Sequence, residues 1–219
     1  MLKSIRLNGA LELIDPALNY ADIGADHGYL AMAMKDAGVK VVQVVENKVG
    51  PLGHAKENLQ DYDDVIFTLA DGLTTLDSKI EAVTILGMGG LNIVGIIDHS
   101  LEVAKSLKQL ILQPNSKIHE LRQFLSEQHF KITDEKIVYE QGKYYEIIAC
   151  VYDELSLPLT EEEIYFGPVL IRRKSTLFVN KYEKIRKQLE SRLPLLGEEH
   201  AKQKEDVLQE LALIKQLEI

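Results

Sequence analysis

The sequence predicts an α/β protein: a mostly parallel, doubly wound sheet that ends in an antiparallel hairpin, followed by a coiled-coil-like helical hairpin at the C-terminus. Three observations carry this. Short β-rich apolar runs alternate with amphipathic helical runs over the first two thirds of the chain, two adjacent strand-like runs then follow without a helix between them, and from residue 160 the composition turns to helix formers. Parallel strands need crossover helices, which the alternation supplies. The 219 residues, 46% hydrophobic and 27% charged, suit one ordinary domain with a modest appendage and exclude a disordered chain.

Residues 19–23, 40–45, 65–69, 82–86 and 109–112 read as strands, with amphipathic helices at 28–37, 51–60, 91–105 and 117–128 between and after them. The runs 130–139 and 144–152 are joined by Glu140-Gln-Gly-Lys143 and read as the hairpin. A parallel sheet finished this way is the pattern of the Rossmann-like methyltransferases, whereas dinucleotide dehydrogenases continue with parallel units. Beyond Ser156-Leu-Pro-Leu159, Phe178, Tyr182, Ile185, Leu189 and Leu193 recur at helical spacing, as do Val207, Leu211 and Ile214. Pro194 and Gly197 fall between the two sets, so they form two antiparallel helices with facing apolar stripes.

The net charge is −9 with a pI near 5.2, so the field of the whole molecule does not attract polyanions. The acidity is uneven: residues 1–159 hold 23 acidic and 14 basic side chains, and residues 160–219 hold 11 of each. Between 172 and 187 lie Arg172, Arg173, Lys174, Lys181, Lys184, Arg186 and Lys187 against a single Glu183, a local basic run of the kind phosphate contacts require. A single cysteine, Cys150, permits no intramolecular disulfide and no cysteine-based zinc site. The six histidines form no metalloprotease-type pair, there is no Gly-x-Ser-x-Gly elbow, and no metal is expected. The N-terminal stretch is amphipathic and contains Asn8 and Glu12, unlike a signal peptide, and the most apolar window, 82–97, is interrupted by glycines and Asn92. A cytoplasmic protein with no membrane partner is expected.

Asp22-Ile-Gly-Ala-Asp-His-Gly28 follows the first strand and opens a helix. Gly24 lets the backbone approach a ligand there, while Asp22 and Asp26 would repel a diphosphate and suit a ligand with a cationic end, such as the ammonium and sulfonium of S-adenosyl-L-methionine. The alternative role of Asp26 is that of a helix N-cap, and His27 either donates to a carboxylate or caps the helix. Glu46 ends the second strand 22 residues after Gly24, a position suited to accepting hydrogen bonds from two ribose hydroxyls, with Asn47 beside it. Asp71-Gly72 follows the third strand, where a carboxylate can accept from an adenine amino group. Gly87-Met-Gly-Gly90 follows the fourth. It provides either a backbone floor for a planar base, with Met88 against one face and Gly89 and Gly90 beneath, or glycines for close helix-sheet packing.

These motifs resemble a family, the bacterial tRNA adenine-22 N1-methyltransferases of the TrmK type. The resemblance rests on Ala21-Asp-Ile-Gly-Ala-Asp-His27, Gly50-Pro51 with Ala55 and Asn58, Asp71-Gly-Leu73, Gly87-Met-Gly-Gly90, Leu112-Gln-Pro-Asn115, Leu121-Arg122 with Leu125, and Gly142-Lys-Tyr-Tyr-Glu-Ile-Ile148. Ala25, Gly28, Ala31 and Phe124 depart from the usual Ser, Ala, Pro and Trp. The resemblance implies S-adenosyl-L-methionine as cofactor, tRNA as partner, and methylation of adenine N1. It implies a methyltransferase domain over 1–158 and a tRNA-positioning helical hairpin over 159–219. It also adds Arg6 to the cofactor set of Asp22, Gly24, Asp26, His27, Glu46, Asn47, Asp71, Gly72 and Gly87. Adenine N1 has an in-plane lone pair, so transfer is a direct displacement that needs alignment; a carboxylate at the base edge stabilises the positive charge and can later take the N6 proton. Asp26 is the first choice for that role, its rival role being to bind the cofactor's amino group. The competing expectations are a methyltransferase acting on a small molecule or protein, and a non-catalytic RNA-binding scaffold.

Overall fold

The computed structural model describes residues 2–197 and 200–217. A seven-stranded sheet forms from β1 (Tyr20–Ile23), β2 (Val42–Glu46), β3 (Val65–Leu69), β4 (Ala82–Gly89), β5 (Gln109–Ser116), β6 (Phe130–Glu140) and β7 (Lys143–Tyr152). Its order is β3-β2-β1-β4-β5-β7-β6, parallel from β3 to β5 and antiparallel where β7 pairs with β5 and with β6. The predicted fold class is therefore the one observed. The chain steps outward from β1 to β3 and then returns to place β4 on the other side of β1. The crevice above β1 and β4 is thus the topological switch point, where open α/β sheets bind ligands.

Helices α1 (Ile5–Leu11), α2 (Tyr29–Asp36) and α3 (Val49–Asn58) cover one face, packing Ala10, Leu30, Met34, Leu52 and Ala55 against Tyr20, Val42 and Val44. On the other face α4 (Gly90–His99), α5 (Leu101–Ser106) and α6 (Ile118–Glu127) bring Ile93, Ile97, Ala104, Leu121 and Leu125 onto Ile23, Val83, Ile85 and Leu112. Covered on both sides, β1 and β2 are buried at every residue, which is why they read as mostly apolar runs, with Asp22, Gln43 and Glu46 as their polar members. The helix predicted over 91–105 is two helices: Ser100, at φ −129° and ψ 42°, leaves helical geometry between them. Strands β4 and β5 outrun their predictions because Met88 and Gly89 still pair with Pro114 and Ser116, across a bulge at Gly87.

The C-terminal helices are α7 (Glu161–Phe166), α8 (Pro168–Arg173), α9 (Thr176–Arg192) and α10 (Ala201–Gln216), with a short 3₁₀ turn at Leu193–Leu195. Thr160 and Glu163 form a reciprocal capping box that starts α7. The predicted stripes meet: Phe178, Tyr182 and Leu189 are buried against Val207, Leu211 and Ile214, together with Phe166, Leu170 and Ile137 of β6. Beneath this core lies a largely buried ionic cluster. The Arg122 guanidinium of α6 donates to Glu135 of β6 at 2.8 and 3.0 Å, to Glu146 of β7, and to the Tyr165 carbonyl of α7 at 3.2 Å. Glu135 accepts the Val169 amide of α8 at 2.9 Å, and Lys181 of α9 pairs with Glu146. Two cations and two carboxylates balance, and together they tie three of the C-terminal helices to the β6–β7 edge of the sheet.

Candidate active site

The carboxyl ends of β1 to β4 converge on two cavities. One, of about 230 Å³, is lined by Gly24, Asp26, Glu46, Asn47, Asp71, Gly72 and Met88 among others; the second, of about 250 Å³, by Arg6, Asp22, Gly24, Asp26, His27, Tyr29 and Gly87 among others. Gly24 and Asp26 border both, so the turn after β1 is the saddle between them. A third, larger cavity of about 730 Å³ continues past Asp71 and Met88 toward Asn92, Ile96 and His99 of α4. The structure thus gathers ten residues scattered from 6 to 87 around one crevice.

Backbone geometry explains the turn. Gly24 has φ +70°, left-handed backbone that favours glycine, and its missing Cβ leaves room for Met88 Cε, which would otherwise lie 2.3 Å from it. Asp26 itself is left-handed at φ 49°, a conformation aspartate tolerates better than most residues. The N-cap of α2 is Gly28, not Asp26, and no side chain caps that helix, so neither Asp26 nor His27 is a capping residue. The Asp26 side chain is 72% exposed at the rim, 3.7 Å from His27 Nε2. His27 stacks on His54 at 5.1 Å.

Asp22 is the contrasting carboxylate. It is 4% exposed and accepts a hydrogen bond from Thr84 Oγ1 at 2.7 Å. Burial pushes its pKa up to about 6, opposed by the Thr84 hydrogen bond and the positive charge of Arg6 and assisted by the charge of Glu46. Arg6 reaches in from α1, where its Nη1 donates to Gln113 Oε1 at 2.7 Å. The same Gln113 oxygen accepts from the Gly87 amide at 3.2 Å, and Asn115 Nδ2 donates to the Gly87 carbonyl at 2.6 Å. Gly87, at φ +76°, is therefore clamped from both sides by the Leu112-Gln-Pro-Asn115 stretch, and the bulge it makes aims Met88 at the cavities. On the other side of the saddle Glu46 is fixed by the Asn47 and Lys48 amides, which donate to its Oε1 at 3.0 and 3.1 Å.

Gly89 and Gly90 divide the two readings of their motif. Gly90 is buried as the first residue of α4, and a Cβ on it would meet the Lys117 carbonyl at 2.3 Å, so its role is close packing of α4 against the β5–α6 turn and not a floor for a base. Gly89 caps α4 beside the Ser116 hydroxyl, and neither glycine lines the three crevice cavities. The predicted basic surface is also divided. Arg173 pairs with Asp134 at 2.6 Å, Lys174 donates to the Leu217 carbonyl, and Lys181 is largely buried against Glu146, so Lys181 belongs to the ionic cluster and not to an RNA-facing surface. Arg172, Lys184 and Lys187 remain exposed. Thr84, Gln113 and Asn115 were not among the expected site residues; the last two stand inside a motif of the resemblance, and nothing in the sequence pointed to Thr84.

Among the described residues no group of three or more metal-ligating side chains comes together, and no helix is long and apolar enough to cross a membrane. The profile of the family described as tRNA (adenine(22)-N(1))-methyltransferase matches residues 20–216. The tRNA (adenine(22)-N(1))-methyltransferase of Bacillus subtilis is 29% identical over 194 residues, covering 82% of this chain and 79% of that protein. A candidate tRNA methyltransferase of Mycoplasma pneumoniae is 36% identical over 169 residues, 74% of this chain and 78% of its own. Among solved structures, a candidate tRNA (m1A22) methyltransferase of Streptococcus pneumoniae in complex with S-adenosyl-L-methionine superposes with a TM-score of 0.88 at 28% identity, covering 99% of each chain. The Bacillus subtilis m1A22 tRNA methyltransferase TrmK gives 0.85 at 25% identity, covering 99% of this chain and 98% of that one. With its profile matched over most of its length and its crevice built as that fold requires, the chain belongs to the TrmK family of tRNA (adenine(22)-N(1))-methyltransferases.

Proposed function

We infer that this chain transfers a methyl group from S-adenosyl-L-methionine to N1 of the adenine at position 22 of tRNA. The observation that carries the reading is the pair of cavities meeting at Gly24 and Asp26 with different donor sets. Arg6 and the buried Asp22 on one side suit the carboxylate and ammonium of an amino-acid tail, while Glu46 and Asp71 on the other suit ribose hydroxyls and an adenine amino group. The residues present therefore fit the cofactor, which when bound supplies an electrophilic methyl on a sulfonium.

The chain's own part is alignment and electrostatics. The Gln113 and Asn115 clamp holds Gly87, and through it Met88, at the border of the crevice. Asp26, at the rim between the cavities, faces the acceptor, and its carboxylate stabilises the positive charge that adenine gains as N1 takes the methyl. Because the N1 lone pair is free in the neutral base, the displacement itself needs no Lewis acid. N1 lies on the pairing edge, so the adenine must be unpaired or extruded, at a cost of a few kcal/mol met by contacts elsewhere on the RNA. Residues 159–219, with Arg172 and Lys184 exposed, supply some of those contacts as the tRNA-positioning part. A tRNA substrate is the ground for reading the protein as cytoplasmic.

Incubation with labelled S-adenosyl-L-methionine and unmodified tRNA, followed by digestion and mass spectrometry, is expected to yield N1-methyladenosine. Intact cofactor binding with no transfer to any tRNA would contradict the acceptor, and absence of cofactor binding would contradict the chemistry altogether. A pH series tests the tail-binding side. Ionised Asp22 holds the cationic amino group, so cofactor affinity is constant above its pKa of about 6 and falls as pH drops below it, tending toward tenfold per pH unit. Thr84→Val removes the hydrogen bond that favours the ionised form and moves the break to higher pH. Calorimetric titration of cofactor between pH 5 and 8 reads both effects; a flat profile would remove Asp22 from the site.

A further inference from the structure

With Lys181 buried against Glu146 and Arg173 paired with Asp134 at the surface, the basic run leaves a narrower surface, and aromatic residues from another part of the chain meet it. A groove of about 510 Å³ runs along α9, lined by Asn180, Glu183, Lys184, Lys187, Gln188 and Ser191, with Tyr144 of β7 as its wall. At 100° per residue, Asn180, Lys184, Lys187 and Ser191 share the side of α9 opposite the buried Phe178, Tyr182 and Leu189, so this face is free for a partner. Lys184 Nζ sits 6.0 Å from the Tyr144 ring centroid. Tyr139, 42% exposed and directly opposite Tyr144 in the β6–β7 ladder, extends the wall, with ring centroids 4.7 Å apart. Lys143 stands exposed at the hairpin tip beside them.

The place of this groove matters as much as its chemistry. β7 runs antiparallel to β5, so its first residues lie toward the same end of the sheet as the carboxyl ends of β4 and β5, where the crevice is. Tyr145, the next residue after Tyr144, turns to the other face of the strand and lies under the guanidinium of Arg6, 5.9 Å from CZ to ring centroid, and Arg6 lines the cavity at Asp22. One strand edge thus connects a crevice residue to the aromatic and basic groove.

We propose that the Tyr139–Tyr144 pair with Lys184 and Lys187 is a stacking subsite for an unpaired nucleotide of the tRNA, separate from the nucleotide that is methylated. The exposed Tyr139, packed on the half-buried Tyr144, offers an aromatic face to any base, lysines take the flanking phosphates, and the two together are what single-stranded RNA requires. Glu183 is the one acid lining the groove, against two lysines on the same helix. The subsite rests on the tRNA reading and deepens it: it names where the RNA is gripped next to the crevice.

The chain contains no tryptophan, so Tyr139→Trp installs a sole reporter in the wall. Titration with unmodified tRNA is expected to quench its emission, with the same midpoint as binding measured by anisotropy. In the triple variant Tyr139→Ala/Lys184→Ala/Lys187→Ala the KM for tRNA is expected to rise about tenfold or more, kcat and cofactor Kd to stay within about twofold, and the slope of log K against log salt to fall by about 1.5. Unchanged KM in the triple variant, with the parent chain active, would overturn the subsite alone. Failure of the parent chain to bind any tRNA would overturn both the subsite and the acceptor assignment. Quenching by poly-glutamate and not by tRNA would assign the groove to an acidic protein and overturn the subsite as well.

Discussion

Asp26→Asn is expected to lower kcat for tRNA methylation by about 10²- to 10³-fold while changing cofactor affinity by less than about threefold. The substitution is chosen on backbone grounds. Position 26 is left-handed, and asparagine occupies that region about as readily as aspartate, whereas alanine would add strain and confuse loss of charge with a displaced turn. The expected split follows from burial. Asp22 is enclosed beneath the turn and bonded to Thr84, which suits a fixed ligand for a bound tail; Asp26 is mostly exposed at the rim, which suits a group that meets the acceptor. Asp22→Asn should therefore do the reverse, weakening cofactor binding first. Equal losses of cofactor affinity in the two variants would return Asp26 to the cofactor set and leave the charge on the methylated base without a partner.

Arg122→Ala is expected to cost about 3 to 5 kcal/mol of stability, because it leaves Glu135 and Glu146 buried with Lys181 as their remaining cation. For a chain of this size that corresponds to a fall in Tm of about 6 to 20 °C. The protonation states show how closely the four groups depend on one another. Burial alone would raise Glu146, yet Lys181 and Arg122 pull it down to about 2, while Glu135, with Arg122 as its main cation, is pushed up by burial. Arg122 itself is held above its usual range, since the two carboxylates outweigh its burial. The folded pKa of Glu146 lies below its unfolded value near 4.5, so its contribution is present above that pH and is lost as pH falls toward 2. His119, buried beside Arg122 and Lys181, is lowered to about 4 and loses its contribution in the same direction, from 6.5 downward. Acid should thus loosen the C-terminal helices from the sheet. Thermal scans of Arg122→Ala from pH 2.5 to 8 should show an acid dependence shallower than that of the parent chain; an unchanged Tm would show that the cluster does not hold the two parts together.

The sheet was legible in the sequence because its signal is burial. β1 and β2 are covered on both faces and so are apolar apart from Asp22, Gln43 and Glu46, and the absence of a helix between β6 and β7 marked the antiparallel finish. Helix ends were less legible where tertiary contacts decide them, as at Ser100 between α4 and α5. The glycine turn and Glu46 announced themselves because their backbone and position are tied to the fold's own geometry. Thr84 did not, since a threonine in a strand reads as an ordinary strand residue, and its value lies in facing Asp22 across the β1–β4 ladder. The basic run misled for the opposite reason: charge along a sequence shows neither that Lys181 turns inward to Glu146 nor that the hairpin brings Tyr144, with Tyr139 packed on it, beside Lys184.

The most direct test of the central assignment is primer extension on a tRNA transcript after incubation with the chain and S-adenosyl-L-methionine. A methyl on adenine N1 blocks pairing and halts reverse transcription. The expected result is a stop one nucleotide 3′ of position 22, where the last base before the blocked adenine is copied; it disappears when that adenine is replaced by guanine and is strongly reduced with Asp26→Asn. A stop at another position, or full extension despite bound cofactor, would contradict it.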